Sequence, residues 1–438
     1  VILAGYRELL RSNRSFRFLW SAQVVSFLGD WFNTIAVYTI VAEITGSGRA
    51  IAGVTVAKML PIFVVMPIGG PLVDRFDRRK IMVATDVARA VLTIGLIVAH
   101  RAGSLPLLYA VLVVMMLAAG LFIPAQRAAV PQITTPDELA RANGLSGGTW
   151  SVMLALGAAV GGWVTATFGI DAALLLDGGT FVASAVLLAF LPPLPAPGAS
   201  SSAKQRSFVA GLRHLATHHR TAALALLKPL MSLGGAAVVL IPIYGVQVFP
   251  ERGGPALVGA LYSARGLGAL VGSLVLVRIF GEGSRTLRRL VLGMFPLGAL
   301  AYLGLAEAPS PALAAVAYFV AAIASGGNWV MSTTLLQRET DARFLGRVFS
   351  VEFGLMTLGF SGVAWAGGWA LDVAGLTPSQ VSRLSSAALV IPFLFWGGHL
   401  LRERRRGTPP EGPSVSTLPP SASPDVFEEA AEGQDSMR

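Results

Sequence analysis

Residues 69–80 read Gly69-Gly70-Pro71-Leu72-Val73-Asp74-Arg75-Phe76-Asp77-Arg78-Arg79-Lys80 and join two long apolar runs. Asp74 and the basic cluster behind it interrupt a stretch of nearly uncharged sequence. A water-soluble domain has no reason to punctuate hydrophobic helices in this way. A chain that crosses a bilayer repeatedly does, because basic turns hold one side of the protein in the cytoplasm.

The composition agrees. Of 438 residues, 54% are hydrophobic and only 13% charged, and mean hydropathy is +0.65. Soluble domains carry about 25% charged residues, so this balance belongs to an integral membrane protein. The 49 glycines suit close helix packing in lipid. Cysteine is absent, which excludes disulfides and thiolate metal sites. A basic N-terminus runs straight into a long apolar segment, without the pattern of a cleavable signal peptide.

Apolar windows of about 20 residues cross a bilayer. They predict an all-α polytopic protein with spans near 18–44, 50–73, 81–99, 106–126, 145–168, 172–191, 222–248, 256–277, 287–306, 311–335, 348–373 and 384–401. Of the 34 Lys and Arg, only Arg49, Arg101, Arg252 and Arg383 fall on one side, and Lys58, Arg89, Lys228 and Arg265 lie within spans. All the others share the opposite side. The positive-inside rule then puts both termini in the cytoplasm, as expected for an inner-membrane protein. The net charge of +10 needs no nucleic-acid partner to explain it.

Four parts follow: a six-helix half over 1–191, a linker over 192–220, a second six-helix half over 221–406 and a disordered tail over 407–438. The linker opens with the stiff Pro192-Pro193-Leu194-Pro195 and continues as a basic amphipathic helix at the interface. The halves repeat one another. Gly161-Gly162-Trp163 in span 5 recurs as Gly367-Gly368-Trp369 in span 11, and Gly169 recurs as Gly375 at the same offset. Such parallel copies imply an axis along the membrane normal. Nearly the same offset lays Leu72-Val73-Asp74 over Leu276-Val277-Arg278, so the second copy lacks the acid.

These residues resemble the major facilitator superfamily. The 69–80 stretch is similar to its loop 2–3 signature: a Gly, an Asp, then a basic cluster. The run Phe122-Ile123-Pro124-Ala125-Gln126-Arg127, then Glu138-Leu139-Ala140-Arg141-Ala142-Asn143, and Leu345-Gly346-Arg347-Val348-Phe349-Ser350 resemble the branch holding enterobactin exporters and macrolide-efflux proteins. The resemblance covers roughly residues 10–402. Family antiporters often carry Gly-Pro before Gly-Gly in span 5, where this chain has Gly157-Ala158-Ala159-Val160-Gly161-Gly162. Asp77 stands where many members have Gly.

The resemblance implies that Asp74, framed by Gly70, Arg75, Arg78 and Arg79, accepts hydrogen bonds from the first amides of span 11 and latches one conformation. A helix N-terminus favours an anion there. Arg75, Arg78, Arg79 and Lys80 also read as topology anchors. Gly157, Gly161, Gly162, Gly367 and Gly368 are expected to pack helices closely.

The charges inside the spans are read by depth. At ~1.5 Å per residue, Asp30 lies ~20 Å beyond Arg17, Lys58 ~24 Å from Asp74 and Arg265 ~20 Å from Arg278. The three therefore share a depth somewhat past the midplane of a ~30 Å core. A charge there costs roughly 2.5–3.5 kcal/mol and marks a substrate or ion pathway. Asp30 and Lys58, on neighbouring spans, are expected to pair. A permanent pair would make Asp30 structural; a separable one would free it to take up a proton. Lys58 and Arg265 flanking a cavity would suit an anionic or catecholate cargo. Lys228, before Pro229, reads equally as a cavity residue at a hinge and as a snorkelling lysine.

Asp86 and Arg89, three apart on one helix face, are expected to join Arg127, Arg347 and Glu352 in a cytoplasmic gate network. Asp177 reads as a hydrogen bonder between helices. His214 and His218 share a helix face, as a solvated surface in preference to a Zn site, and no metal is expected.

The leading expectation is a secondary transporter, not an enzyme, that exports a small molecule by alternating access on a proton gradient. No cofactor and a monomeric working unit are expected. A siderophore or natural-product exporter competes with a multidrug or macrolide exporter. A lipid-modifying enzyme or a non-transporting receptor is a more distant alternative. No P-loop is present to drive primary transport.

Overall fold

The structure, a computed structural model, describes residues 2–73, 75–195, 208–249, 251, 253–281, 283–340 and 342–405. Asp74, residues 196–207 and the tail from 406 lie outside the described residues, as do the surroundings of Gly70 and the side chain of Arg278.

Among the described residues twelve helices are long and apolar enough to cross a membrane. They are span 1 (Arg14–Thr45), span 2 (Gly48–Val65), span 3 (Arg78–Arg101), span 4 (Leu105–Ile133), span 5 (Asp137–Phe168) and span 6 (Ile170–Ala189). Span 7 (His219–Val248), span 8 (Pro255–Leu276), span 9 (Ser284–Ala306), span 10 (Pro311–Glu339), span 11 (Arg347–Asp372) and span 12 (Pro378–Arg405) follow. No strand occurs among the described residues, because only internal hydrogen bonding lets a backbone cross hydrocarbon.

Local chemistry sets the helix ends. Asn13 caps span 1 by accepting from the Phe16 amide at 2.9 Å. Gly46 ends it with φ 59°, a left-handed conformation that costs glycine little. Thr135 with Glu138, and Thr377 with Gln380, form reciprocal capping boxes at the starts of spans 5 and 12. Span 7 is the irregular one. After Pro229 it passes through a 3₁₀ turn at Ser232–Gly235 and ends in a π turn at Tyr244–Val248, just beyond Pro242. A proline removes one ladder bond and crowds the preceding turn. This break sits where the chain turns Lys228 and Gly235 inwards.

Spans 1–6 pack among themselves, as do spans 7–12, and two extensive pairings bridge the sets, span 5 with span 8 and span 2 with span 11, with lighter contacts of spans 1 and 2 against spans 7 and 8. The sequence repeat lies on these bridges. A Cβ at Gly162 would fall 2.8 Å from the Gly259 Cα, and one at Gly368 would fall 2.6 Å from the Gly48 carbonyl oxygen. The tryptophans that follow, Trp163 and Trp369, point outward at 57% and 49% exposure. Each copy therefore presents backbone to the opposite half and an aromatic ring to the surroundings.

Linker helix Phe208–Thr217 packs on the start of span 11, where Gly211 meets the Arg347 carbonyl. The segment before it is fastened to the first half. Asp77 accepts from the Leu194 amide at 3.2 Å and caps span 3, while Arg78 and Gln132 both donate to the Pro195 carbonyl.

Replacing Gly162 or Gly368 by Leu should lower thermal stability in detergent, overpacking a bridge at a cost of about 1–3 kcal/mol. Gly148→Ala, where nothing lies within 4 Å of an added Cβ, should leave the melting temperature unchanged.

Candidate functional site: two buried polar centres and a distal seal

The first centre lies inside the first half. Asp86 and Arg89 project from span 3 and are 0% and 3% exposed. They are hydrogen-bonded to each other, and Ser184 of span 6 donates to the second Asp86 oxygen at 2.6 Å. The Arg89 guanidinium is held over the rings of Phe122 and Phe181, at 4.9 and 4.2 Å. Such stacking recovers part of the desolvation cost of a buried cation. Arg89 also stands 3.8 Å from Asp30, whose side chain is 40% exposed. Next to this group Asn33 donates to Asp177 at 3.0 Å.

The expected Asp30–Lys58 ion pair does not form in this conformation. Lys58 donates instead to the Thr34 hydroxyl at 2.6 Å, and Asp30 faces Arg89. Depth counting placed the three side chains well along their helices, but helix rotation chose the partner. The five-member gate network is likewise divided. Asp86 and Arg89 form one buried pair, Arg127 is exposed, Arg347 stacks on Phe344 at 5.0 Å, and Glu352 belongs to the second half's centre.

That second centre is a cavity of about 120 Å³ enclosed by spans 7–11. Lys228 and Glu352 pair across it at 3.0 Å, with Lys228 over the ring of Trp329 at 4.7 Å. Arg265 lines the cavity with Tyr302, Tyr318 and Phe360. Among the described residues no carboxylate lies within ion-pair distance of Arg265; its electrostatic neighbours are Tyr38, Tyr262, Tyr302 and Tyr318. The Asn328 side-chain oxygen is buried in the same cavity without a hydrogen bond. A cation with no counter-charge and an idle polar group together make a site for a polar ligand.

A seal lies at the end opposite the termini. Asp372, the last residue of span 11, accepts from the amides of Gly48 and Arg49 at 2.8 and 3.0 Å and from the Ser47 hydroxyl. A carboxylate on a helix N-terminus gains from both the free amides and the dipole. Gln247 donates to the Gly46 carbonyl at 2.8 Å beside it. The hydrogen bonds that Asp372 and Gln247 make between the halves sit at this distal end. Below it Tyr262 packs against Trp31 and Tyr38, with ring centres 5.4 and 6.2 Å apart. The halves are therefore joined distally above the depth of Arg265.

Three features escaped the sequence reading. Asp372 lay within the repeated segment, opposite Ala166 in the other copy, and that asymmetry was the available signal. Asp77 was visible only as a departure from a glycine. Arg288, bonded to Glu339 and Glu403 at the terminal face, joins spans 9, 10 and 12 that no spacing rule links.

The profile of the Major Facilitator Superfamily matches residues 19–364, and the chain belongs to that family of membrane transporters. It is 27% identical over 387 residues to the MFS-type transporter YfiS of Bacillus subtilis, spanning 83% of this chain and 88% of that protein. It is 27% identical to the enterobactin exporter EntS of Citrobacter koseri over 94% of this chain and 98% of the relative. A bacterial homologue of the iron transporter ferroportin in its inward-facing state shares the fold, with a TM-score of 0.67 at 15% identity over 88% and 98% of the two chains.

Removing one member of the Lys228–Glu352 pair should strand the other in an apolar surround. Lys228→Met is expected to destabilise the protein by about 3–5 kcal/mol, and the double change Lys228→Met with Glu352→Gln by clearly less. Chemical unfolding in detergent, analysed as a double-mutant cycle, reads both.

Proposed function

We propose that the chain exports a small anionic molecule by alternating access and exchanges it for protons. The observation that carries this reading is Arg265: a guanidinium lining a membrane-embedded cavity, surrounded by tyrosines and by no carboxylate among the described residues. An arginine at this depth is costly unless something compensates it, and an anionic cargo would do so. The aromatic walls of Tyr302, Trp329 and Phe360 suit a cargo that also carries an aromatic ring. The full-length likeness to an enterobactin exporter supports export of a catecholate or similar acid.

The placement of Lys and Arg supports an inner-membrane protein with both termini in the cytoplasm. In that orientation the distal end is the outer one. The conformation is closed to the outside, and Asp372 is the latch that holds it. Asp74, which follows Val73 in the sequence, is the proposed latch for the other state. The two half-domains rock as single bodies, with the protein working as a monomer. The polar centre of the first half couples to protons, and the cavity of the second half reads the cargo.

Purified protein in sealed vesicles should move labelled enterobactin against its gradient when a proton gradient is imposed. Arg265→Gln should reduce kcat/KM at least about tenfold, the effect of losing a hydrogen bond to a charged group. A wild-type protein that moves a macrolide and not enterobactin would replace the anionic-cargo reading by drug efflux. Movement of neither would sink the exporter reading.

The latch has its own measurement. The chain has no native cysteine, so Ser263→Cys provides a single reporter beneath the seal. Labelling by an impermeant maleimide from the distal side should rise about tenfold when Asp372→Asn is added, because charge-assisted hydrogen bonds of about 1.5 kcal/mol or more are lost. An unchanged labelling rate would show that Asp372 does not hold the closed state.

A further inference from the structure

Asp177 has no place in the ion pairs described above, yet it is a carboxylic acid with 0% exposure in the middle of span 6. One of its oxygens accepts from the neutral Asn33 amide at 3.0 Å, and the other has no hydrogen-bond partner. Span 6 packs against spans 1, 3 and 5. From span 1 the charged group facing it is Asp30, and from span 3 it is Arg89, itself bonded to Asp86. Lys58 reaches towards it from span 2. Span 5 carries its charges, Asp137, Glu138 and Arg141, at its terminal end, and on span 6 itself Asp171 is paired with His100 and Arg101 at the distal end.

None of the cations in this group is committed to Asp177. Arg89 is bonded to Asp86 and stands beside Asp30, and the Lys58 amino group goes to Thr34. The cluster therefore sets three carboxyl groups, Asp30, Asp86 and Asp177, against two cations. One added proton makes it neutral. Asp86 and Asp30 already share Arg89, so the proton belongs on the acid that has no cation. The orphan oxygen is also tightly covered. Gly29 brings span 1 so near that a Cβ there would lie 2.8 Å from it and 1.9 Å from the Thr180 hydroxyl. A proton fits where a hydrated ion does not.

We propose that Asp177 is protonated in this conformation and is the group that carries the coupling proton. This rests on the proton-coupled reading of transport given above. An O–H bond forms as the Asp177 carboxylate takes H⁺ from water admitted past the half-exposed Asp30, in the state open to the outside. It breaks as H⁺ returns to water on the terminal side. Release requires a cation beside Asp177, and Lys58, whose hydrogen bond among the described residues is to one hydroxyl, is placed to supply it. Asp30 is then the gatekeeper of the proton path and Asp177 its reservoir.

Two measurements on the full chain in lipid vesicles test this without a known cargo. Dicyclohexylcarbodiimide, which reacts with protonated carboxyl groups in apolar surroundings, should leave its adduct on the peptide containing Asp177. An adduct confined to Asp30, or none, would overturn the proposal. In infrared spectra at neutral pH, the carbonyl band of a protonated acid should be present in the wild type and in Asp30→Asn, and absent in Asp177→Asn. A band unchanged in Asp177→Asn, or one abolished by replacing potassium with sodium, would also overturn it, the latter in favour of a sodium site. The labelling experiment uses unmodified protein, so misfolding of a variant does not decide the outcome. In transport, Asp177→Asn should still exchange labelled enterobactin across the vesicle membrane but lose at least tenfold of the rate added by a proton gradient. Retention of that added rate would refute the carrier role. A wild type that moves no enterobactin on a proton gradient would instead defeat the coupled-export reading, and with it the carrier role, while the adduct and the band still decide whether Asp177 is protonated.

Discussion

Hydrocarbon offers no hydrogen bond and solvates no charge, and that single constraint organises the whole molecule. Each backbone segment that crosses must be helical, and polar side chains left inside are driven to find partners within the protein. The structure meets the first demand with twelve long helices and strict capping. It meets the second by collecting charge into two internal centres, Asp86–Arg89 in one half and Lys228–Glu352 in the other. Because hydrophobic burial does not distinguish lipid from a helix neighbour, cohesion between the halves falls to close contact. That is why glycines stand on both bridges.

The two halves share an architecture and differ in chemistry. The repeat puts Gly-Gly-Trp at equivalent places on spans 5 and 11, yet only span 11 ends in an acid, Asp372. Among the described residues the pairing of span 2 with span 11 therefore carries a carboxylate on a helix N-terminus at the distal end. The polar centres diverge in the same way. The first is rich in acids and closely packed around Arg89; the second is a cavity whose Arg265 has tyrosines for company. The proposed division between coupling and recognition rests on this difference in chemistry between two halves of shared frame.

Span number and the repeat were legible because each is written in local composition, as apolar length and a recurring tripeptide, whereas several helix ends run past the apolar windows, as span 5 does in starting at Asp137. The placing of Asp30, Lys58 and Arg265 within the spans was read from depth alone, as rise per residue converts position into distance, whereas Lys228 was left between a cavity residue and a snorkelling lysine. Partners were not legible. Lys58 turned to Thr34 and left Asp30 to Arg89, and Glu352 turned from the expected gate to Lys228. In each case the decision lies in helix rotation about its axis, which a count along the chain does not contain. Asp177 was visible as a buried acid, but only the packing of Gly29 and Asn33 around it exposed the oxygen that nothing satisfies.

By itself, then, the sequence determined twelve apolar spans, the bias of basic residues to one set of loops and the tripeptide repeated between spans 5 and 11. Those properties follow from transfer free energies, which add along the chain and need no knowledge of neighbours. The tertiary structure decided which charges meet, which carboxyl stays unpaired and which end of the molecule is closed. Those depend on the relative rotation and spacing of helices far apart in sequence, where a shift of one residue around a turn exchanges one partner for another.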